Sequence, residues 1–422
     1  MPQAPTRNCQ LGAKSVSHLE ELPLDATVTL ALFSKIDPLR ERGRRGLARA
    51  PRIPRSRFNR QPNRPVPLAV LKHLPPVSFG IQTSPFVRRL GRFAFSLFIV
   101  ASLASARAVD TLEILTEAPN LETARSLYNS GEYEQAADYA RNAQELDPWV
   151  VGWEMYEARA LLATGRYEEA YRSLEAYVAD RSFELRPRLL LREAARFTGR
   201  ENEAKRQLEA IGYLINERSR RYAYDASNIV AVGEAALLFN IEPKIVLENF
   251  FKRAQERGDA PVSAFSAAGE LALEKHDYQL ASKSFQQGIE SFPDDVDLWH
   301  GLARSFVEGD RSKLIEYATQ ALQINPRHVP TLLLMADHLI ASEAYDEAES
   351  VLGDALRVNP LHPEALSYRA ALAHLRNEPE KSAALREQAL STWRSNPMVD
   401  YTIGRELAEK YRFQEGASSQ RL

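Results

Sequence analysis

The sequence predicts an all-α protein, a right-handed solenoid of stacked helical hairpins, and two observations support this fold class. Turn glycines recur with a period of 34 residues, and an alanine follows each glycine by five positions. These residues are Gly131, Gly165, Gly199, Ala136, Ala170 and Ala204. Apolar residues recur at i, i+3, i+4 and i+7 on both sides of each glycine, which is typical of two amphipathic helices joined by a turn.

The alanines have a packing reason. Two helices that cross closely need a small side chain at the contact, because a larger one would overpack the interface by roughly 1–3 kcal/mol. The 34-residue spacing continues further along, from Pro326 to Pro360 and from Ala355 to Ala389. The interval from Pro293 to Pro326 is 33, so we expect the unit at about 296–328 to have lost one residue.

Eight helix–turn–helix units and a truncated ninth follow from this periodicity. The units start near residues 117, 151, 185, 228, 262, 296, 329 and 363, and the ninth starts at Tyr401. Units 1–3 occupy 117–218, and units 4–8 with the partial ninth occupy 228–422. An interruption from Ser219 to Ser227 either lengthens a helix or kinks the solenoid into two halves.

The recurrence of turn, alanine and proline positions together at this period resembles the tetratricopeptide repeat (TPR), over about 117–420. The stretches that begin at Asn325, Arg369 and Tyr411 look like the N-terminal TPR region of exported bacterial proteins that continue into a peptidase-MA-like metallohydrolase. Such a hydrolase domain needs a His-Glu-x-x-His zinc motif, and the sequence has none.

The TPR resemblance implies a binding surface. In TPR proteins the first helix of each unit lines a concave groove in which peptides bind. The groove-facing ninth position of the units gives these candidates: Arg125, Arg159, Glu193, Glu270 and Asp337. Two arginines one repeat apart could bind an acidic group or a C-terminal carboxylate. The alternative is a solvated charged surface without a ligand.

The first 92 residues differ in composition from the rest of the chain. They hold 17 Lys and Arg against 5 Asp and Glu, whereas the other 330 residues hold 37 against 51. Residues 1–86 form a basic extension rich in Pro and Arg with no apolar period, so we expect disorder there. We also expect these residues to be an upstream extension, with the true start of translation at Val87.

Residues 87–108 have the order of a secretory signal peptide. Arginines precede an apolar run from Phe93 to Ala104, and Ala106-Arg-Ala108 fits a small-x-small cleavage site. The sequence therefore predicts an exported protein, periplasmic or extracellular. An uncleaved signal anchor, and hence a membrane-anchored protein, is the alternative.

Few residues suggest chemistry. The only cysteine is Cys9, which excludes a cysteine-based metal site within one chain. Four histidines fall in the last repeats: His328, His338, His362 and His374. Because His328 and His362 are equivalent residues of successive repeats, 34 apart, we expect turn or packing roles rather than a shared metal ion. The sequence predicts no catalytic residues, no cofactor, no metal and no nucleic-acid partner.

The sequence therefore favours a non-enzymatic scaffold that binds a protein or peptide partner in the TPR groove. The alternative function is the non-catalytic TPR arm of a larger exported metallohydrolase whose catalytic domain is absent. Because the partial ninth unit lacks a polar capping helix, we also expect its end to fray and the chain to self-associate there.

Overall fold

The computed structural model describes residues 118–410 and 416–417, apart from the side chains of 218–220. In this part of the chain, 77% of the residues lie in 17 helices and none lies in a strand, which confirms the all-α solenoid. The extension 1–86 and the signal sequence 87–108 fall outside the described residues and stay predictions. None of the described helices combines the length and apolarity that a membrane span requires.

The helices alternate as first and second members of hairpins. The first helices are α1 (Leu121–Asn129), α3 (Val151–Ala163), α5 (Leu185–Phe197), α7 (Ala226–Leu238), α9 (Val262–Glu274), α11 (Val296–Arg304), α13 (Val329–Ala341), α15 (Pro363–Leu375) and α17 (Pro397–Glu409). The second helices are α2 (Tyr133–Leu146), α4 (Tyr167–Asp180), α6 (Glu201–Tyr222), α8 (Pro243–Val246, Leu247–Lys252 and Arg253–Gln255, π-helical in the middle), α10 (Tyr278–Ser291), α12 (Arg311–Ile324), α14 (Tyr345–Val358) and α16 (Pro379–Ala389). Units 1–8 are the successive pairs, and α17 opens a ninth.

The turn between the two helices of a hairpin has a common shape along the chain. In every unit except unit 6, one turn residue has a positive φ. These residues are Gly131, Gly165, Gly199, Asn240, His276, Glu343 and Asn377. Non-glycine residues therefore occupy the left-handed conformation in units 4, 5, 7 and 8, at a cost of about 1–2 kcal/mol each. At Gly131 and Gly165 a close contact adds a further reason for glycine, since a Cβ there would lie 2.3 Å from a side-chain oxygen of Asn325 or Asn359.

The predicted small residues lie at the helix crossings. Ala136, Ala170 and Ala204 are buried, with exposed fractions of 0%, 0% and 5%. The irregular spacing falls in unit 3. Its second helix, α6, has 22 residues, whereas the equivalent helices α2 and α4 have 14 each. Of the two alternatives for the interruption, the lengthened helix is therefore confirmed.

Three unit starts differ from the sequence expectation, and the first is that of unit 1, whose first helix begins at Leu121 rather than near residue 117. The first helix of unit 4 begins at Ala226, two residues earlier than expected, because Asp225 accepts a hydrogen bond from the amide of Ser227 and caps it. The ninth unit begins at Pro397 rather than Tyr401, because Asn396 caps α17 in the same way. Helix α17 buries Ile403 and Leu407.

Consecutive superhelical turns of the solenoid touch one another. The hairpin turns of units 1–3 contact the turns that precede α13, α15 and α17, between five and six units later. One buried apolar cluster contains Tyr133 and Ala170 together with Val329 and Leu352, and so spans both turns of the superhelix. We call these contacts the inter-turn interface. The 34-residue period did not predict it.

Candidate functional site

The ninth position of the successive units forms a ladder of charges along the solenoid. Positions are counted from the first residue of the first helix, and from residue 117 in unit 1. The ladder runs Arg125, Arg159, Glu193, Glu234, Glu270, Arg304, Asp337, Ala371 and Arg405. Five of these residues were predicted from the sequence, whereas Glu234, Arg304 and Arg405 were not. Glu234 was missed because the start of unit 4 was placed two residues late. The Asn-Pro pair that starts α17, at Asn396, would have identified Arg405.

Arg125, the first residue of the ladder, is already bound within the protein. Its guanidinium donates to both carboxylate oxygens of Asp294, at 3.1 and 3.3 Å, and lies 2.8 Å from the carboxylate of Glu122. The same guanidinium stacks 5.2 Å from the ring centre of Phe292. Of the two arginines expected to bind a carboxylate ligand, only Arg159 is therefore free of an ion pair.

The later residues of the ladder are also paired. Glu270 accepts two hydrogen bonds of 2.7 Å from Arg304, one unit further on. Asp337 accepts hydrogen bonds from the hydroxyl of Tyr368, at 3.0 Å, and from Arg405, at 2.5 Å. The first ion pair joins the neighbouring units 5 and 6, and the second joins units 7 and 9.

Arg159, Glu193 and Glu234 differ from the rest of the ladder. Among the described residues, none of the three has an ion-pair partner within 4 Å or a side-chain hydrogen bond. All three side chains are exposed. Even so, surrounding protein raises the pKa of Glu193 and of Glu234 by desolvation, and Arg159 opposes both shifts. Side chains that are exposed and yet have pKa values raised by surrounding protein are expected if they project into a narrow, solvent-filled interior of the superhelix.

Several residues that act on the pKa of Arg159 belong to other units. Burial alone would lower its pKa, but Tyr128, Asp297 and other neighbours raise the pKa above its ordinary value. Asp297 lies on α11 in unit 6, so units 2 and 6 face each other across the interior. The unpaired cluster of Arg159, Glu193 and Glu234 therefore lies within electrostatic range of Asp297 in unit 6, with one cation and two carboxylates.

A chain of hydrogen bonds borders this cluster on the side of unit 6. The ring of His328 contacts Asp297 at 3.0 Å and the hydroxyl of Thr331 at 2.7 Å, and Thr331 contacts His300 at 3.2 Å. Burial raises the pKa of Asp297, but the hydrogen bond to His328 and nearby positive charges lower it. The net result is a pKa below the ordinary value of an aspartic acid. Burial and the neighbouring His328 hold the pKa of His300 well below its ordinary value.

The order of carboxylate, imidazole and hydroxyl is that of a hydrolytic triad, but the exposure of the hydroxyl decides its role. Thr331 is completely buried, so its oxygen cannot reach a substrate. His362, one repeat after His328, accepts a hydrogen bond of 3.4 Å from the amide of Ala365 and caps α15. Within the described residues, no three His, Cys, Asp or Glu side chains are placed to hold one metal ion.

Comparisons with known proteins agree with this architecture. Family models described as tetratricopeptide repeat match residues 121–184 and 315–375. A search of the curated proteins finds no significant match to this sequence.

Solved structures with similar folds were also found. The crystal structure of TTC0263, a thermophilic TPR protein of Thermus thermophilus, is 18% identical and has a TM-score of 0.38; the match covers 43% of this chain and 99% of that chain. The crystal structure of MamA protein is 14% identical, with 38% and 88% covered and a TM-score of 0.28. The APC/C hetero-tetramer Cut9-Hcn1 is 11% identical, with 68% and 55% covered and a TM-score of 0.47.

The two matched ranges begin in unit 1 and end in unit 8, and the same hairpin recurs throughout the helices between them. The described part of this chain is an all-α helical solenoid that contains tetratricopeptide repeats.

Proposed function

We propose that this chain is a non-catalytic scaffold for protein–protein interaction, and that it binds a basic segment of a partner on the inner face of units 2–4. The observation that carries the proposal is the unpaired cluster of Arg159, Glu193 and Glu234. The other charges of the ladder have partners in the protein, whereas these three have none among the described residues.

The energetics favour a ligand at this cluster. Neither carboxylate has an ion pair, and the surrounding protein raises the pKa of both, so an added cation would favour their ionised form. The side chains of Arg159, Glu193 and Glu234 sum to a formal charge of −1, with Arg192 and Arg196 near Glu193 and Arg186 near Glu234 outside the cluster. A lysine or arginine of a partner would neutralise that charge and form charge-assisted hydrogen bonds. The ligand class is therefore basic, which differs from the acidic or carboxylate ligand that the sequence suggested for Arg125 and Arg159.

Calorimetric titration with an octalysine peptide tests this proposal. We expect wild type to bind saturably, and the Glu193→Gln/Glu234→Gln variant to bind at least about tenfold more weakly, which corresponds to about 1.4 kcal/mol. Glu290→Gln removes an exposed carboxylate from α10 and is the matched control, because it reduces the negative charge of the chain without touching the cluster. An equal loss in the control, or tighter binding of an octaglutamate peptide, would refute the proposal.

We also propose that the protein is exported, on the basis of the signal-like sequence at 87–108. N-terminal sequencing of the native protein should give a start near Val109. A native N-terminus at Met1 would contradict export through this segment, and one at Val87 would indicate an uncleaved anchor.

A further inference from the structure

A small cavity of about 240 Å³ lies where unit 3 meets the turn before α17. Helix α5 contributes Arg192 and Arg196, and α6 contributes Lys205, Ala204, Leu208 and Glu201. The turn before α17 contributes Trp393 and Ser395. The volume corresponds to the space of about eight liquid water molecules, which is enough for an anionic group attached to one ring.

Arg192 is unusual for its place in the repeat. It lies seven residues before the turn glycine of unit 3, at the eighth position of the unit. The eighth position of the other units is always alanine or glycine. These residues are Ala124, Ala158, Gly233, Gly269, Ala303, Ala336, Ala370 and Gly404. At Gly233 and Gly269 an added Cβ would lie within 2.6 Å of a phenylalanine ring, so the position is normally closed to large side chains. In unit 3 it instead carries a guanidinium that lines a cavity.

The cations of this cavity lack partners among the described residues. Arg192 and Lys205 have neither an ion pair nor a side-chain hydrogen bond. Arg196 stacks 5.4 Å from the ring centre of Trp393 and has no carboxylate partner. The one carboxylate in the cavity, Glu201, accepts a hydrogen bond from the hydroxyl of Ser395. The lining side chains, three cations and one carboxylate, sum to a formal charge of +2. Burial, with the nearby Arg196, lowers the pKa of Arg192, and the nearby Glu193 opposes this shift.

We propose that this cavity is a binding site for a small anion, a phosphate or carboxylate group joined to an aromatic or apolar substituent. The two arginines lie one helical turn apart, and guanidinium groups bind such anions through paired hydrogen bonds. Trp393 and Leu208 provide apolar surface for the substituent. The ring of Trp393 is already fixed by an edge-on contact with Phe197, at 5.9 Å between ring centres. Glu193 does not line the cavity, but its charge acts on both Arg192 and Arg196, so the cavity lies beside the inner-face cluster.

Calorimetric titrations of the full chain with phenyl phosphate, benzoate and phenol test the site. We expect saturable binding of phenyl phosphate or benzoate, with the tighter of the two identifying the anionic group, and none of neutral phenol. Arg192→Ala, which restores the residue type of the other units and should leave the fold intact, should weaken binding at least about tenfold. Arg394→Gln, which removes an exposed arginine beside Trp393 that does not line the cavity, should change binding less than about twofold. Binding that does not saturate, or an equal loss in both variants, would overturn the proposal.

Discussion

The side-chain amide of Asn325 donates a hydrogen bond of 3.0 Å to the hydroxyl of Tyr133, which lies 192 residues earlier in the chain. The same bond recurs one repeat later, at 2.9 Å, between Asn359 and Tyr167. Both bonds are buried and link consecutive turns of the superhelix. The inter-turn interface is therefore itself periodic, with the period of the repeat.

Each asparagine serves two purposes. The side-chain oxygen of Asn325 accepts a bond of 2.9 Å from the amide of Arg327 and closes its own turn, and Asn359 does the same with Leu361 at 3.1 Å. Only the side-chain nitrogen is used across the interface. The side chain of Arg327 adds a bond of 2.9 Å to the carbonyl oxygen of Gly131 and two of 2.9 Å to the carboxylate of Glu134.

Removal of one tyrosine hydroxyl should weaken the interface by the value of one hydrogen bond. We expect Tyr133→Phe to lower the free energy of unfolding by about 0.5–1.5 kcal/mol, because it leaves the Asn325 amide buried without its acceptor. A double-mutant cycle with Asn325→Ala should give a coupling energy of similar size. The matched cycle of Tyr133→Phe with Asn359→Ala should be additive, since these residues belong to different repeats. Additivity in both cycles would refute the contact.

The turn glycines provide a second test of the interface. Gly131, Gly165 and Gly199 all have positive φ, at +83°, +76° and +69°, so alanine strains the backbone equally at each. A Cβ at Gly131 or Gly165 would also lie 2.3 Å from the side-chain oxygen of Asn325 or Asn359, whereas at Gly199 the nearest atom is 3.7 Å away. We expect Gly131→Ala and Gly165→Ala to cost about 1–3 kcal/mol more than Gly199→Ala in urea unfolding. Equal losses at the three sites would contradict the close approach.

The turn glycines show which features of the fold the sequence predicts and which it does not. Their spacing predicted the hairpins, because a left-handed turn residue and a small crossing residue are local requirements of each unit. It could not reveal that Gly131 is glycine because Asn325 lies against it. That contact depends on the small rotation from one unit to the next, summed over more than five units, and no local pattern encodes the sum.

The candidate site was predictable to a similar extent. The period together with the TPR resemblance predicted Arg159 and Glu193 as groove residues, and the Asn-Pro pair at Asn396 would have assigned Arg405 to the same position of its unit. That Arg125 is bound by Asp294 while Arg159 has no ion pair depends on the closure of the superhelix. Ligand type could therefore not be inferred from the ladder positions alone.

Glu154 gives a pH-dependent test of the core. Burial, followed by the nearby carboxylate of Glu157, raises the pKa of Glu154 from 4.5 to about 7. In the unfolded chain the carboxyl titrates near its ordinary value, so its contribution to stability is full below that value and is lost as pH rises through 7. Glu154→Gln should therefore stabilise the protein by roughly 1–3 kcal/mol at pH 8, and hardly at all at pH 4.

Thermal melts of wild type and Glu154→Gln across this pH range give the measurement. Glu145→Gln, at an exposed position of α2, is the control and should have little effect at either pH. A gain from Glu154→Gln that is the same at pH 4 and pH 8 would show that the carboxyl charge is not its cause.

Ligand binding at the inner face should depend on pH as well. Desolvation by the surrounding protein raises the pKa of Glu193 and Glu234, so these carboxylates become neutral at a higher pH than ordinary glutamates do. We expect the affinity for octalysine to fall on acidification, starting above the ordinary range of glutamic acid. In Glu193→Gln/Glu234→Gln the weaker binding should be nearly independent of pH over the same range. Parallel pH profiles for the two proteins would contradict the role of these carboxylates.

The most direct test of the account is to map where a basic peptide binds. An octalysine peptide carrying a benzophenone photo-crosslinker would be irradiated with the full chain, and the crosslinked residues would be identified by mass spectrometry. We predict crosslinks on the first helices α3, α5 and α7, around Arg159, Glu193 and Glu234, and their loss in the presence of excess unlabelled peptide. Crosslinks confined to the second helices, or to residues 1–117, would contradict binding at the inner face.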